Sequence, residues 1–145
     1  MSKKMRFEGI FPAMVASFKD DGELDIKGIK ENVQFCIGAG CTGVVCNGST
    51  GEAVNLSREE RKAVIRAAAE VTQGKAKIIA GTGAPTTRAV VEMTRDAMEA
   101  GADAALVITP FNAIPNSSGL YKHYAAVAEV GIPIILYNLP AHTGV

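Results

Sequence analysis

Short apolar runs alternate with longer amphipathic segments along most of this chain. The runs have four or five residues each and start roughly 30 residues apart, which is the spacing of repeated strand–helix units. They are residues 43–46, 77–80, 104–108 and 133–137. They are nearly continuous apolar runs rather than alternating ones, as is typical of strands that are covered on both faces. An earlier apolar segment, residues 7–18, predicts a first strand whose start is irregular because it contains Pro12.

The segments between the runs have apolar residues at helical spacing. The clearest helix begins at Ser57, because Ser57 and Glu60 have the spacing of a capping box and an apolar face follows through Val64 and Ile65. The other predicted helices begin at Asp25, at Thr86 or Thr87, and near Leu120. Glycines follow the last periodic residue of each helix, which is typical of helix ends. The order predicts five strands and four helices in an α/β fold with a parallel sheet.

Two α/β architectures fit this order: a doubly wound sheet, or part of a (β/α)₈ barrel. The polar and glycine-rich segments come just after the strands, at Gly48–Glu52, Gly81–Ala84, Thr109–Asn112 and Tyr137–Gly144. Barrel enzymes carry their sites on these loops, whereas a doubly wound sheet concentrates its site at one switch point. We therefore expect a barrel. Because a complete barrel needs about 200–250 residues, residues 1–145 are expected to be the N-terminal part of one barrel domain.

Composition narrows the classes of function. Apolar residues make up 48% of the chain and charged residues 21%, with 15 basic and 15 acidic side chains, so no charge excess indicates nucleic acid or an anionic membrane as partner. No apolar stretch approaches the length of a membrane span, and the basic start lacks the apolar core of a signal peptide, which predicts a cytoplasmic protein. Cys36, Cys41 and Cys46 lack zinc-site spacing and are expected to be small buried hydrophobic residues; no metal site is expected.

The loop Gly48–Glu52 is the best candidate for a binding site. Two glycines bracket Ser49 and Thr50 where a strand should end, so backbone N–H groups and hydroxyls can approach a small anion closely. From the residues alone, Ser49 and Thr50 could instead be ordinary turn residues, and Tyr137 a packed core tyrosine. Gly81–Ala84 could hold a phosphate or could allow close packing of a loop and a helix.

Four segments resemble the dihydrodipicolinate synthase / N-acetylneuraminate lyase family. They are Gly48-Ser49-Thr50-Gly51-Glu52, Ala80-Gly81-Thr82-Gly83, Thr109-Pro110-Phe111 and Tyr137 to Gly144. The resemblance runs from about Phe7 to Val145. It implies a (β/α)₈ barrel, usually a homotetramer, and a class I aldolase in which a lysine on the sixth strand forms a Schiff base with pyruvate or another 2-oxo acid. No further cofactor is implied, and that lysine is expected outside this chain.

The resemblance also implies roles for particular residues. Ser49 and Thr50 would bind the pyruvate carboxylate, and Tyr137 would relay protons, with Ser49 as its catalytic hydroxyl partner. The chain departs from the dihydrodipicolinate synthase branch at two positions: Asn112 replaces a tyrosine, and His142 replaces an arginine that binds the second substrate's carboxylate. We expect both to contact substrate. The substrate could then be a sugar acid or another 2-oxo acid, in an aldolase or a dehydratase.

Two other functions stay open. Because no suitable Schiff-base lysine exists in the chain, it could be a non-catalytic half-barrel that only folds or associates. A weaker alternative is a phosphate-binding barrel isomerase that uses Gly81–Ala84. Two further side chains are expected to have no chemical role: Glu52, at the end of the first motif, is expected to make structural hydrogen bonds, and His123 to lie on the solvated side of its helix.

Overall fold

A computed structural model describes residues 6–112 and 114–144 of the chain. Its strands are β1 (Gly43–Cys46), β2 (Lys77–Gly81), β3 (Ala104–Ile108) and β4 (Ile134–Tyr137). Its helices are α1 (Ile26–Gly38), α2 (Arg58–Thr72), α3 (Thr87–Glu99), α4 (Ser117–Ala128) and the short α5 (Pro140–Thr143). One 3₁₀ turn spans Ala53–Asn55. Four of the five predicted strands and all four predicted helices are confirmed within a few residues.

The four strands form one parallel sheet in the order β1-β2-β3-β4. Strand–helix–strand crossovers are almost always right-handed, so an order without reversal places every crossover helix on the same face. A doubly wound sheet requires a reversal of order. The observed order is therefore that of a barrel wall, and all strand C-termini meet at one edge of the sheet.

Two clusters of apolar side chains hold the helices against that face. The first joins α1 and α2 to β1 and β2, with Val33, Val44 and Ala68 fully buried. The second joins α3 and α4 to β3, around Val90 and Val107. Strand residues alternate in direction, so the residues between these core positions point to the opposite face. That opposite face carries the candidate site.

The predicted first strand, residues 7–18, is wrong as a strand. Only Ala13 forms a bridge to β1, at Val45. The segment nevertheless runs beside β1, because the Val45 N–H donates to the Pro12 carbonyl (2.9 Å) and the Met14 N–H donates to Val45 (2.9 Å). Proline has no N–H to donate, so Pro12 limits the regular ladder to this short stretch.

The predicted capping box of α2 is confirmed. The Ser57 hydroxyl accepts from the Glu60 N–H, and the Glu60 carboxylate accepts from the Ser57 N–H at 2.8 Å. Asp25 is the N-cap residue of α1 as predicted, but its side chain makes no capping hydrogen bond. Helix α2 ends at Thr72, and its C-cap residue is Gln73 in a left-handed conformation, one residue before the expected Gly74.

The prediction that His123 is solvated is wrong. His123 is 3% exposed, and its Nδ1 lies 2.9 Å from the Thr87 hydroxyl, which joins α4 to the first turn of α3. Its Nε2 is also buried and has no partner among the described residues. Burial lowers the pKa of His123, because the charged ring would lose its hydration there. The side chain is therefore part of the packing between α3 and α4.

Within the described residues, no helix combines the length and apolar character that crossing a bilayer requires.

The three cysteines differ in burial. Cys46 is buried in the first cluster, whereas Cys36 and Cys41 are half-buried. The prediction of small buried residues is thus confirmed fully only for Cys46.

Candidate active site

The loop after β1 is a tight turn in which the successive N–H groups of Ser49 and Thr50 are free. The Gly51 N–H donates to the Gly48 carbonyl (3.1 Å), and the Glu52 N–H donates to the Ser49 carbonyl (3.1 Å). Among the described residues, the N–H groups of Ser49 and Thr50 have no hydrogen-bond partner. Both residues are exposed, so these donors are available to a ligand. Successive free N–H groups of this kind form an anion-binding concavity.

Close packing on both sides fixes the shape of this turn. A Cβ on Gly51 would lie 2.9 Å from the Met14 carbonyl oxygen, so only glycine fits beneath the loop. Glu52 has a positive φ of 49°, and its carboxylate accepts a hydrogen bond from Asn55 Nδ2 at 3.1 Å. This contact is the structural role expected of Glu52. The turn is therefore formed before any ligand arrives.

A cavity of about 320 Å³ lies at the C-terminal edge of the sheet. Residues from the exits of all four strands line it: Asn47, Gly48, Ser49, Gly81, Gly83, Ile108, Phe111, Asn112, Tyr137 and Thr143 among them. Leu106 and Ile108 form its apolar wall, on the sheet face opposite the helices. The cavity thus has the size and mixed lining of a small-molecule site.

Three of the five candidate residues meet in this cavity. Ser49, Asn112 and Tyr137 all line it, although they are separated by up to 88 positions in sequence (137 − 49). Thr50 is in the same turn and its N–H group is also free, but the residue does not line the cavity. His142 is in α5, and its side chain lies outside the described part of the structure.

Arg61 and Asn47 also line the cavity, and the sequence analysis missed both. Arg61 is half-buried; its Nε donates to the Leu56 carbonyl at 3.4 Å, and burial lowers the pKa of its guanidinium. An arginine stays protonated even so. No carboxylate of the described residues lies within 4.0 Å of Arg61. Its Nη1 also lies 3.2 Å from the Met93 sulfur, so the guanidinium carries a charge that no described side chain neutralises.

A signal for Arg61 was present in the sequence. It precedes Val64 by three positions and Ile65 by four, which places it on the buried face of α2. A charged residue at a core position indicates a function or a buried partner. Asn47 follows β1 directly, is 5% exposed and donates from Nδ2 to the Arg61 carbonyl at 3.0 Å. It ties the strand exit to the first turns of α2.

Gly81 and Gly83 bring the neighbouring exit loops into contact. A Cβ on Gly81 would lie 2.8 Å from the Asn47 carbonyl carbon, and a Cβ on Gly83 would overlap the Ile108 side chain. At both glycines, protein atoms already fill the space that a side chain would need. This geometry favours the packing role of Gly81–Ala84 over the phosphate-binding one.

Comparison with known proteins identifies the family. The sequence profile of the dihydrodipicolinate synthetase family matches residues 6–145. The chain belongs to this family. It is 47% identical over 140 residues to the 4-hydroxy-tetrahydrodipicolinate synthase of Methanothrix thermoacetophila, covering 96% of this chain and 47% of that protein. It is 46% identical to the enzyme of the same name from Methanoculleus marisnigri, covering 95% of this chain and 48% of that protein.

Solved structures of the family confirm the fold. The chloride-inhibited dihydrodipicolinate synthase from Acinetobacter baumannii, in complex with pyruvate, matches with a TM-score of 0.91 and 44% identity. The match covers 94% of this chain and 47% of that one. This chain spans about half the length of the curated relatives it matches. The sheet and its helices correspond to half of a (β/α)₈ barrel, as the order of the loops predicted.

Proposed function

We propose that this chain forms the 2-oxo-acid-binding half of a pyruvate-dependent lyase or synthase that works through a lysine Schiff base. The turn after β1 carries the proposal, because Ser49, whose N–H group is free, lines a cavity that Tyr137 and Arg61 also line. A small carboxylate suits both the N–H pair and the unneutralised guanidinium. Relatives named as synthases and a family member complexed with pyruvate support the same ligand class.

The proposed chemistry needs proton transfers at two steps. A lysine amine adds to the ketone carbon of pyruvate, and the oxygen that accepts the electron pair must gain a proton. A second proton must reach that oxygen before water leaves and the C=N bond forms. Tyr137 is the one phenol in the cavity lining, and the Ser49 hydroxyl is a second group there that can pass a proton on. No lysine lines the cavity among the described residues, so the amine comes from elsewhere in the working enzyme.

We further propose that the second substrate is recognised through hydroxyl groups. Asn112 lines the cavity, and its amide can both donate to and accept from a hydroxyl. Neither Asn112 nor His142 can form the planar fork with which an arginine holds a carboxylate. This favours a sugar acid or a polyhydroxylated aldehyde over an aldehyde that carries its own carboxylate. Measuring condensation rates with two aldehydes tests this proposal: pyruvate should condense faster with a polyhydroxylated aldehyde than with an aldehyde that carries a carboxylate.

Reductive trapping tests the Schiff base. The protein that contains this chain, incubated with pyruvate and borohydride, should gain about 72 Da, the mass of a reduced pyruvate imine. Tyr137→Phe and Ser49→Ala should each slow trapping by about 10²-fold, because each removes a proton-transfer group. Tyr121→Phe is the matched control, since Tyr121 is 76% exposed on α4 and does not line the cavity. Absence of the mass gain would refute the proposal.

The rival functions give different results in the same experiment. If residues 1–145 alone are a non-catalytic half-barrel, the isolated 145-residue chain would show neither trapping nor aldol cleavage. A phosphate-binding isomerase would bind a phosphorylated ligand at Gly81–Ala84 and leave pyruvate unmodified. We also propose that residues 1–145 belong to one barrel domain. The expected homotetramer stays a prediction, which sedimentation of the same protein would measure.

A further inference from the structure

The turn that ends α1 has a specific hydrogen-bond pattern. The Cys41 N–H donates to the Cys36 carbonyl at 3.1 Å, and the Gly40 N–H donates to the Ile37 carbonyl at 3.0 Å. Gly40 has a φ of +90°, the conformation that such a turn requires. These two bonds and this glycine define a Schellman motif, in which the residue after the glycine folds back over the last turn of the helix.

The two residues that this motif brings together are both cysteines. In a Schellman motif, the side chains at the positions of Cys36 and Cys41 commonly touch, which is why the pair is often apolar. Both cysteines are half-buried, so a small reagent can reach them. Burial, followed by the proximity of Cys41, raises the pKa of the Cys36 thiol.

We propose that Cys36 and Cys41 are a redox-active pair that forms an intramolecular disulfide by exchange with a low-molecular-weight disulfide such as oxidised glutathione. One thiolate attacks a sulfur of the small disulfide and releases one small thiol, which leaves a mixed disulfide on the protein. The second protein thiolate then attacks the protein sulfur and releases the other small thiol. Two protein thiols are oxidised, one small disulfide is reduced to two thiols, and no further oxidant is needed.

The order of attack follows from the surroundings. Cys36 is in the helix with its Sγ 3.7 Å from the Met14 sulfur, and its pKa is raised, so it is the poorer first nucleophile. Cys41 is in the turn outside the helix and makes the first attack. Cys36 turns from Met14 toward Cys41 in the second step. Disulfide geometry requires Cβ atoms about 4 Å apart, so the proposal requires the folded-back turn to bring the two Cβ atoms to that separation.

Cys46 is an internal control for this pair. It is 1% exposed in β1, and burial raises the pKa of its thiol to about 12. It therefore neither ionises near neutral pH nor meets the reagent. The three cysteines share one tryptic peptide, residues 31–58, so their pairing has to be resolved by variants rather than by digestion alone.

The pair lies at the end of β1 opposite the candidate active site. Cys41 is followed by Thr42, whose N–H donates to the Ile10 carbonyl and whose carbonyl accepts from Lys77. These bonds anchor the entry to β1, whereas the cavity lies at the strand's exit. The disulfide would lock this entry turn. The inference does not depend on the proposed function.

The test is exchange with oxidised glutathione at pH 8, followed by intact-mass measurement and alkylation. The parent chain should lose about 2 Da and two alkylatable thiols, and dithiothreitol should reverse both changes. Cys46→Ala should behave like the parent. Cys36→Ser should stop at a mixed disulfide on Cys41, with the mass of one glutathione unit added. Cys41→Ser should show no 2-Da loss.

Three results would overturn the proposal. The parent could accumulate only mixed disulfides, or it could form covalent dimers. It could also retain both thiols under the same ratio of oxidised to reduced glutathione at which the Cys36→Ser variant forms its mixed disulfide. Because the Cys36→Ser variant reports whether Cys41 reacts at all, a lack of reactivity is separated from a wrong geometry. Circular dichroism of each variant confirms that the comparison is made between folded chains.

Discussion

Gly81→Ala is the sharpest test of how the candidate site is built. Gly81 ends β2, directly beside the start of the β1 exit loop. A Cβ there would lie 2.8 Å from the Asn47 carbonyl carbon and 3.3 Å from the Gly48 nitrogen, and nearer still to the Asn47 oxygen. All of these are backbone atoms, so no side chain can rotate away. The added methyl group must push the two exit loops apart.

The size of the effect follows from these distances. Ordinary contact begins at 3.4 Å, so the carbonyl carbon of Asn47 must move by roughly 0.6 Å and its oxygen by more. Overpacking of this kind costs about 2 kcal/mol of the free energy of unfolding. For a chain of this length, that corresponds to a fall in Tm of about 6 °C. The loop that moves holds the free N–H pair of Ser49 and Thr50, so binding of a 2-oxo acid should weaken as well.

Urea unfolding measures the free energy, and amide chemical shifts measure the displacement. Gly38→Ala is the matched control: Gly38 is in α1, has open space around its Cβ position and has no positive φ. This control should be neutral or slightly stabilising, since alanine favours a helix. If Gly81→Ala unfolds within about 0.5 kcal/mol of the parent, or leaves the Asn47 and Gly48 amide shifts unchanged, the reasoning about close packing is refuted.

Three further predictions concern the scaffold. Ser57→Ala should lower the free energy of unfolding by about 1 kcal/mol by removing the α2 cap, and Ser57→Thr should restore most of it; equal urea midpoints would contradict this. Asp103→Ala should cost about 1–2 kcal/mol, because Asp103 accepts from the buried Ile78 N–H at 2.9 Å, and Asp103→Asn should cost less. His123 has a folded pKa below its ordinary value of about 6.5, so the unfolded chain binds more protons; stability should be complete above that value and fall as pH drops toward the folded pKa. His123→Gln should make the free energy of unfolding depend less on pH between pH 7 and 5. If the dependence is the same in this variant as in the parent, the prediction is wrong.

The sequence predicted best what depends on short-range pattern. The α2 cap needs only Ser57 and Glu60, three residues apart, and the four confirmed strands are nearly continuous apolar runs. The ring of exit loops followed from the order of strands and helices. Pro12 was noticed, but how far it limits the first strand depends on hydrogen bonds to β1, about 30 positions away, which no local pattern contains.

Tertiary contacts account for most of the errors. His123 is three positions after Leu120 and four before Val127, so its place on the packed face of α4 could be predicted from helical spacing. Its hydrogen-bond partner Thr87, which lies in α3, could not. The short helix α5 also had a signal, since Pro140 is at its first position, where proline is favoured. That Ser49 rather than Thr50 lines the cavity depends on the turn's three-dimensional course and could not be predicted from the residues alone.

The turn that holds Ser49 and the strand that ends at Tyr137 are packed to different extents by the rest of the described structure. The turn with Ser49 is anchored from beneath by Met14 and from the side by Asn47 and Gly81, and the first apolar cluster packs under the strands that carry it. Tyr137 ends β4, which has a strand neighbour on only one side among the described residues, and the adjacent Leu136 is 62% exposed. The turn that holds Ser49 is therefore organised by the described residues, whereas we expect the orientation of the Tyr137 phenol to depend on what packs against β4. It follows that carboxylate binding and proton transfer are separable: changes at Gly81 should weaken both, while changes that loosen β4 should slow Schiff-base formation and leave binding of the carboxylate intact.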